Sequence, residues 1–343
     1  MEYRNLGRTG VPVSVICLGC MNFGGATPED ESIKIIDYAL DHGVNFLDTA
    51  NVYSRGISEQ IVGKALKGKR DSVFLATKVH GRMDDDDIMA AGNSRRHIIE
   101  QCEASLKRLQ VDHVDLYQIH RPQSDMPIDE TLRALDDLIR AGKVRYVGTS
   151  SFTAWQLVES LWAAKELGLN RFVSEQPPYH LLDRSIEREL IPMAQTYGIG
   201  ILPWSPLARG FLSGKYRRGD DIPGDSRFGQ DSNNRNPMFQ NRLQQHFGDL
   251  AYNVLDVVEA LAEEKGCTAA QVAMAWLIHQ PGVTSPIVGP RTMAHFEDNL
   301  GAVDVEITDE DRARLDDVST PEEAIASYYN GRMMDFKPAQ HRW

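Results

Sequence analysis

The sequence predicts a (β/α)8 barrel, the TIM-barrel architecture, spread over 343 residues. Short β-type runs recur eight times: VSVICLG (13–19), VNFLD (44–48), SVFLATK (72–78), VDLYQIH (114–120), KVRYVGTS (143–150), RFVSEQ (171–176), GIGILPW (198–204) and SPIVG (285–289). Most are near-continuous apolar runs, as expected of parallel strands covered on both faces. Helical patterns lie between them at a period of about 30 residues, which makes βα units. An open doubly wound sheet is the alternative. Eight similar units without a long break before residue 204 favour the closed barrel.

Taken in order, MEYRNLGRTGVPVSVI opens with a hairpin, two short strands around Gly7-Arg8-Thr9-Gly10, expected to cap the bottom of the barrel. In EDESIKIIDYALDHG, Ile33, Ile36, Tyr38, Ala39 and Leu40 form an apolar helix face and Gly43 is its stop. SRRHIIEQCEASLKRLQ, IDETLRALDDLIRAG and TAAQVAMAWLIHQ repeat the pattern. Residues 205–247, after the seventh strand, form an insertion rich in Gly, Asp, Asn and Arg. A loop that long reads as a lid, a binding loop or a disordered segment. Beyond the eighth strand, the helix-like ITDEDRARLDDVS leads into a tail, 319–343, whose Tyr328, Tyr329, Phe336 and Trp343 are expected to cover a pocket or a partner. The whole of 1–343 reads as one domain, with 205–247 a cofactor or substrate loop inside it.

Composition narrows the partners. A net charge of −12 argues against nucleic acid or an anionic membrane, and leaves room for a local basic pocket. No run approaches the roughly 18 apolar residues of a spanning helix, and no signal-peptide pattern is present. A cytoplasmic protein acting on a small molecule is expected. Four cysteines are too sparse for a disulfide framework. Cys17 and Cys20 lack the second pair that zinc would want, so they read as small residues at a strand end, with metal or redox use as the alternative. No metal is expected. The run Asp84 to Asp87 reads as a solvated loop or helix start, with a cation site as the alternative. Oligomeric state is left open.

Active sites of such barrels lie at the C-terminal ends of the strands. There, Asp48 ends the second strand, Lys78 the third and His120 the fourth, and Tyr53 follows in the loop after Asp48. Burying any of these groups unpaired is costly, but together they can satisfy one another. A lysine beside a tyrosine favours the phenolate and is expected to lower its pKa. Lys78, held charged by Asp48, would make Tyr53 a general acid for a carbonyl that accepts a hydride, with His120 orienting the carbonyl oxygen. The bland readings are a solvated edge lysine, a structural histidine and a turn-forming aspartate. Their coincidence on one rim favours the catalytic one.

NFLDTANVYSRGISEQIVGKAL is similar to the Asp-Thr-Ala…Tyr…Glu…Gly-x-Ala-Leu signature of the aldo-keto reductases, and FLATKV and VDLYQIHRP resemble that family's lysine and histidine segments. The likeness runs from LGRTGVPVSVICLG to PRTMAHFEDNLGA. It implies an NAD(P)H-dependent (β/α)8 barrel that reduces aldehydes and ketones, with a catalytic tetrad on Asp48, Tyr53, Lys78 and His120. Residues 19–25 lack the G-x-G-x-x-G spacing, so the dinucleotide must bind without a Rossmann loop. By resemblance Met21, Asp48, Ser150, Ser151 and Gln176 surround the nicotinamide, Ser151 standing where the family usually has Asn. Trp204 would stack on the ring. Ser205, Pro206, Leu207, Arg209 and Lys215 would line the pyrophosphate, with Arg227 joining them. Gly289 and Pro290 would let the backbone approach, and the next helix N-terminus suits a phosphate. Arg291 would meet the 2′-phosphate, favouring NADP(H). His295, Asp298 and Asn299 would hold the adenosine end.

The substrate pocket is expected to draw on Met21, Phe23, Val79, His80, Arg121 and Tyr179. Trp204 and EQPPYH also resemble the branch that includes potassium-channel β subunits. A cofactor-binding regulatory subunit is therefore the second reading, and the expected absence of a long segment ahead of the barrel weighs against it.

Overall fold

The computed structural model describes residues 1–224, 226, 228–229, 246–322 and 324–325. Arg227 and the tail aromatics Tyr328, Tyr329, Phe336 and Trp343 lie outside the described residues. Strands β1 (Tyr3–Asn5) and β2 (Pro12–Ser14) pair antiparallel as the expected hairpin. Eight parallel strands follow: β3 (Cys17–Gly19), β4 (Phe46–Asp48), β5 (Phe74–Val79), β6 (Val114–Ile119), β7 (Val144–Ser150), β8 (Phe172–Gln176), β9 (Gly200–Ile201) and β10 (Ile287–Val288). Each neighbours the next in chain order, and β10 pairs with β3. The ring closes between β9 and β10. Thr284 N donates to Ile201 O at 2.8 Å and Ile287 N to Pro203 O at 2.8 Å.

The helices are α1 (Glu29–Asp41), α2 (Ile57–Ala65), α3 (Arg95–Leu109), α4 (Ile128–Arg140), α5 (Ala154–Leu167), α6 (Leu190–Tyr197), α7 (Asp249–Lys265), α8 (Ala269–Ile278), α9 (Met293–Leu300) and α10 (Asp309–Val318). Their ends carry local signals. Thr153 with Gln156, Thr268 with Gln271 and Thr308 with Asp311 form capping boxes. Gly168, Gly198 and Gly266 close α5, α6 and α7 in the left-handed conformation.

Strand parity sorts the side chains. Phe46, Phe74, Ala76 and Leu116 face the barrel interior with Cys17, Leu202 and Ile287. Leu47, Leu75, Val79, Tyr117 and Ile119 face the helices. Leu6 and Val13 of the hairpin join the interior cluster, so the hairpin plugs the bottom. At the hairpin turn Gly7 has φ +51°, and a Cβ there would lie 2.6 Å from Gly198 O and 2.7 Å from Gly200 N.

Two expectations are corrected in detail. The run 13–19 is not one strand, because Ser14 ends the hairpin and Cys17 begins the barrel, with Ser14 N turned onto Asn45 Oδ1 at 2.8 Å. The run 198–204 is regular only at Gly200–Ile201, although Leu202 N and Trp204 N still donate to Glu175 O and Pro177 O, each at 2.9 Å. The described part of the insertion is folded rather than open. Phe211, Tyr216, Phe228 and Phe247 pack with Tyr252 of α7, the Phe211–Tyr252 ring centroids lying 5.1 Å apart.

Candidate active site

Parity that buries Phe46 and Phe74 at the bottom brings Asp48 and Lys78 inward at the top of the same strands. Both side chains are fully buried and form an ion pair. Lys78 Nζ also donates to Thr49 O at 2.9 Å and to the Tyr53 hydroxyl at 3.2 Å. The other oxygen of Asp48 accepts from Gln118 Nε2 at 2.9 Å and Gln176 Nε2 at 3.1 Å. The sequence reading missed Gln118. Its signal was parity, since it precedes His120 by two residues and sits in register with Lys78.

Tyr53 reaches this point through a strained turn. Ser54, Arg55 and Gly56 are all left-handed, at φ 48°, 53° and 91°, and they swing the chain into α2. Ser54 Oγ donates to Phe23 O at 3.0 Å, and Glu59 of α2 accepts from Thr77 Oγ1 at 2.5 Å and Arg108 Nε at 2.6 Å. Non-glycine residues with positive φ are Ser54, Arg55, Gln110, Ser151, Ser205, Ala208 and Arg209 among the described residues. Gln110 is a helix C-cap; the other six lie in loops at the C-terminal rim, where strain points to function.

His120 stands edge-on to Tyr53, with ring centroids 5.7 Å apart and planes at 84°. Burial, Lys78 and Arg121 hold its pKa well below the usual value, so the imidazole is neutral near pH 7. The lowered tyrosine pKa expected from Lys78 is not found. Burial raises the Tyr53 pKa and outweighs the pull of Lys78, so the hydroxyl keeps its proton. Burial alone would lower Lys78, but Asp48 and Tyr53 outweigh it, and its pKa lies above the usual value.

The expected cofactor residues fall into two groups. Ser150, Ser151 and Gln176 end β7 and β8 beside the Asp48 cluster, with Ser150 Oγ donating to Gln176 O at 2.9 Å. Met21 packs partly buried on the interior cluster. Ser205, Pro206, Leu207, Arg209, Lys215, Gly289, Pro290, Arg291, His295, Asp298 and Asn299 line one cleft spanning the loops after β9 and β10. Asp48 and Trp204 do not line this cleft; Asp48 is turned into the barrel, and Trp204 immediately precedes Ser205, which does line it. Three fixed cations on one cleft, in a chain of net charge −12, suit a polyanionic ligand. The start of α9 is less free for phosphate than expected, because Met293 N donates to Glu31 and His295 N to Thr292 Oγ1. Asn22 of the first loop donates to Gly289 O at 2.8 Å and Pro290 O at 3.0 Å, tying that loop to the cleft.

The expected substrate pocket is corrected in part. Phe23, Val79 and Tyr179 are buried in the helix-facing core, Tyr179 stacking edge-on to Trp276, whereas Met21, His80 and Arg121 stay at the rim. In the acidic run, Asp85 pairs with Arg55 at 2.7 Å, and Asp84 and Asp87 accept from backbone amides two residues on. Cys17 and Cys20 are buried thiols whose pKa is pushed up chiefly by burial. No helix among the described residues is long and apolar enough to cross a membrane.

Residues 15–320 match the model of the Aldo/keto reductase family. The chain belongs to that family. An oxidoreductase of Bacillus subtilis (strain 168), YrpG, is 39% identical over 93% of this chain and 96% of its own length. A probable voltage-gated potassium channel subunit beta of Arabidopsis thaliana is 38% identical over 89% of this chain and 92% of its own. Versiconal hemiacetal acetate reductase of Aspergillus parasiticus is 35% identical over 94% of this chain and 98% of its own. As an aldo/keto reductase the chain is an oxidoreductase of carbonyl chemistry that uses a nicotinamide cofactor.

Proposed function

We propose that this aldo/keto reductase is an NADPH-dependent reductase of aldehydes or ketones, acting in the cytoplasm, with Tyr53 as its general acid. The observation that carries the reading is the contact of the Tyr53 hydroxyl with Lys78, itself locked to Asp48, on the rim beside a three-cation cleft. Reduced nicotinamide, when bound, supplies the hydride. Trp204 offers it a flat wall, and Ser150, Ser151 and Gln176 offer polar groups for its carboxamide. Arg209 and Lys215 suit the pyrophosphate, Arg291 the 2′-phosphate, and His295, Asp298 and Asn299 the adenosine end. Arg227 is assigned to the pyrophosphate by resemblance alone.

Tyr53 passes its proton to the carbonyl oxygen as negative charge develops there. Lys78 then stabilises the phenolate that forms, which is worth most in a site sheltered from water. Asp48, with Gln118 and Gln176 as donors on its far oxygen, keeps Lys78 charged and aimed. Neutral His120 donates an N–H that orients the carbonyl oxygen.

The kinship with channel β subunits supports a second reading, a cofactor-binding regulatory subunit of little turnover. The test is to mix the protein with NADPH and a panel of aldehydes, ketones, 2-oxoaldehydes and quinones, and follow nicotinamide absorbance. Turnover that falls at least about 100-fold in Tyr53→Phe, with NADPH binding kept, is expected. Tight NADPH binding without turnover on any carbonyl would transfer the protein to the second reading.

A further inference from the structure

Arg121 takes no part in the scheme above, yet it is built into the same rim. It follows His120 at the end of β6 and is half-buried. Its Nη1 donates to Ser151 Oγ at 2.6 Å and to His120 O at 3.2 Å. Its guanidinium carbon lies 6.0 Å from the centre of the Trp204 ring. These contacts fix the group between the end of β7 and the aromatic wall. Ser151 is itself held in a left-handed turn at φ 63°. Beneath that turn the buried carboxyl of Glu175 accepts from Thr149 Oγ1 at 2.5 Å and Phe152 N at 3.1 Å.

A serine reaches less far than an asparagine amide and offers a single O–H. A guanidinium resting on that serine brings several N–H donors to the same place in a fixed fork. It also brings a permanent positive charge, already felt at the reacting groups: it favours the Tyr53 phenolate and opposes protonation of His120.

We propose that Arg121 belongs to the nicotinamide site, where it holds the carboxamide jointly with Ser151 and makes the site prefer the reduced, uncharged ring to the oxidised, cationic one. The inference rests on the reductase reading. A fixed cation opposes a second cation brought beside it and leaves a neutral ring nearly untouched. One such repulsion across a few ångströms at a protein surface is worth about tenfold in relative affinity. The direction is useful to a reductase, because it loads the reduced cofactor and expels the oxidised one.

Calorimetric titration of the whole protein with NADPH and, separately, with NADP+ tests this without turnover. The wild type should bind NADPH at least about tenfold more tightly than NADP+. Arg121→Gln, and independently Arg121→Met, should bring the two affinities to within about threefold, chiefly by tightening NADP+ relative to NADPH. Arg121→Lys keeps the charge and should keep the preference, while weakening both forms through loss of the fork. Ser151→Ala should weaken both forms alike. A preference that survives unchanged in Arg121→Gln or Arg121→Met overturns the proposal. A wild type that binds neither form overturns the reductase reading itself.

Discussion

Tyr53 keeps its proton in this structure, and a general acid needs that. Lys78 draws the tyrosine pKa down, as expected of a neighbouring ammonium, but burial of the hydroxyl draws it up by more. In the proposed mechanism Lys78 acts on the phenolate, during the reaction rather than before it. On β8, Glu175 shows the same force on a carboxyl, where burial pushes its pKa up to about 8. An unfolded glutamate titrates near 4.3. Between those values the folded protein holds the proton more firmly than the unfolded chain, so this group's contribution to stability is full at low pH and is lost as pH rises toward 8. Melting temperature measured from pH 5 to 8.5 should therefore fall more steeply in the wild type than in Glu175→Gln. Parallel curves would show that Glu175 does not titrate in this range. At this scale the meeting of Asp48, Lys78 and His120 on one rim was legible, because each ends an apolar run. Gln118 was not recognised, since an amide inside a strand looks like a solvated residue until its register with Lys78 is known. The burial of Tyr179 and Phe23 was not legible either, because both sit in loops whose direction no periodicity records.

At the scale of elements, the apolar runs and the helical repeats were read correctly, and their boundaries were not. Strands β9 and β10 are regular over two residues each, and the loops that follow them line the three-cation cleft. The aromatic cluster of the insertion was invisible in composition, since Phe211, Tyr216, Phe228 and Phe247 are scattered among polar residues and meet only in three dimensions. The hairpin was anticipated from its turn residues, and its contact with the barrel can be tested. A side chain at Gly7 meets three backbone atoms within 2.8 Å in a conformation that favours glycine. Gly7→Ala should cost about 2 kcal/mol or more of unfolding free energy in a denaturant titration. NADPH affinity should hardly change, because the plug lies at the opposite end of the strands from the cleft. A loss below about 0.5 kcal/mol would mean that the hairpin lifts off the barrel easily.

For the whole molecule, the decisive contrast is an acidic chain that gathers Arg209, Lys215 and Arg291 on one cleft. The cleft lies between the loops after β9 and β10, so a ligand bound there bridges the join of the barrel. Saturation at a hundred times the dissociation constant adds about 2.7 kcal/mol, which for a chain of this size raises the melting temperature by about 4 °C. NADPH should give a larger shift than NADH at equal concentration, and Arg291→Ala should remove the difference. Equal shifts in the wild type would separate Arg291 from the 2′-phosphate.

The join has a consequence for how the chain is made. Strand β3 can complete its pairing only when Ile287 arrives beside Cys17, after every other strand of the ring has been made. Until then the growing chain carries an open sheet with two bare edges, at β3 and at β9, where stray strands can add. The cleft between the loops after β9 and β10 is complete only once residues through Asn299 have been made, so a ligand cannot seat fully there before the ring has closed.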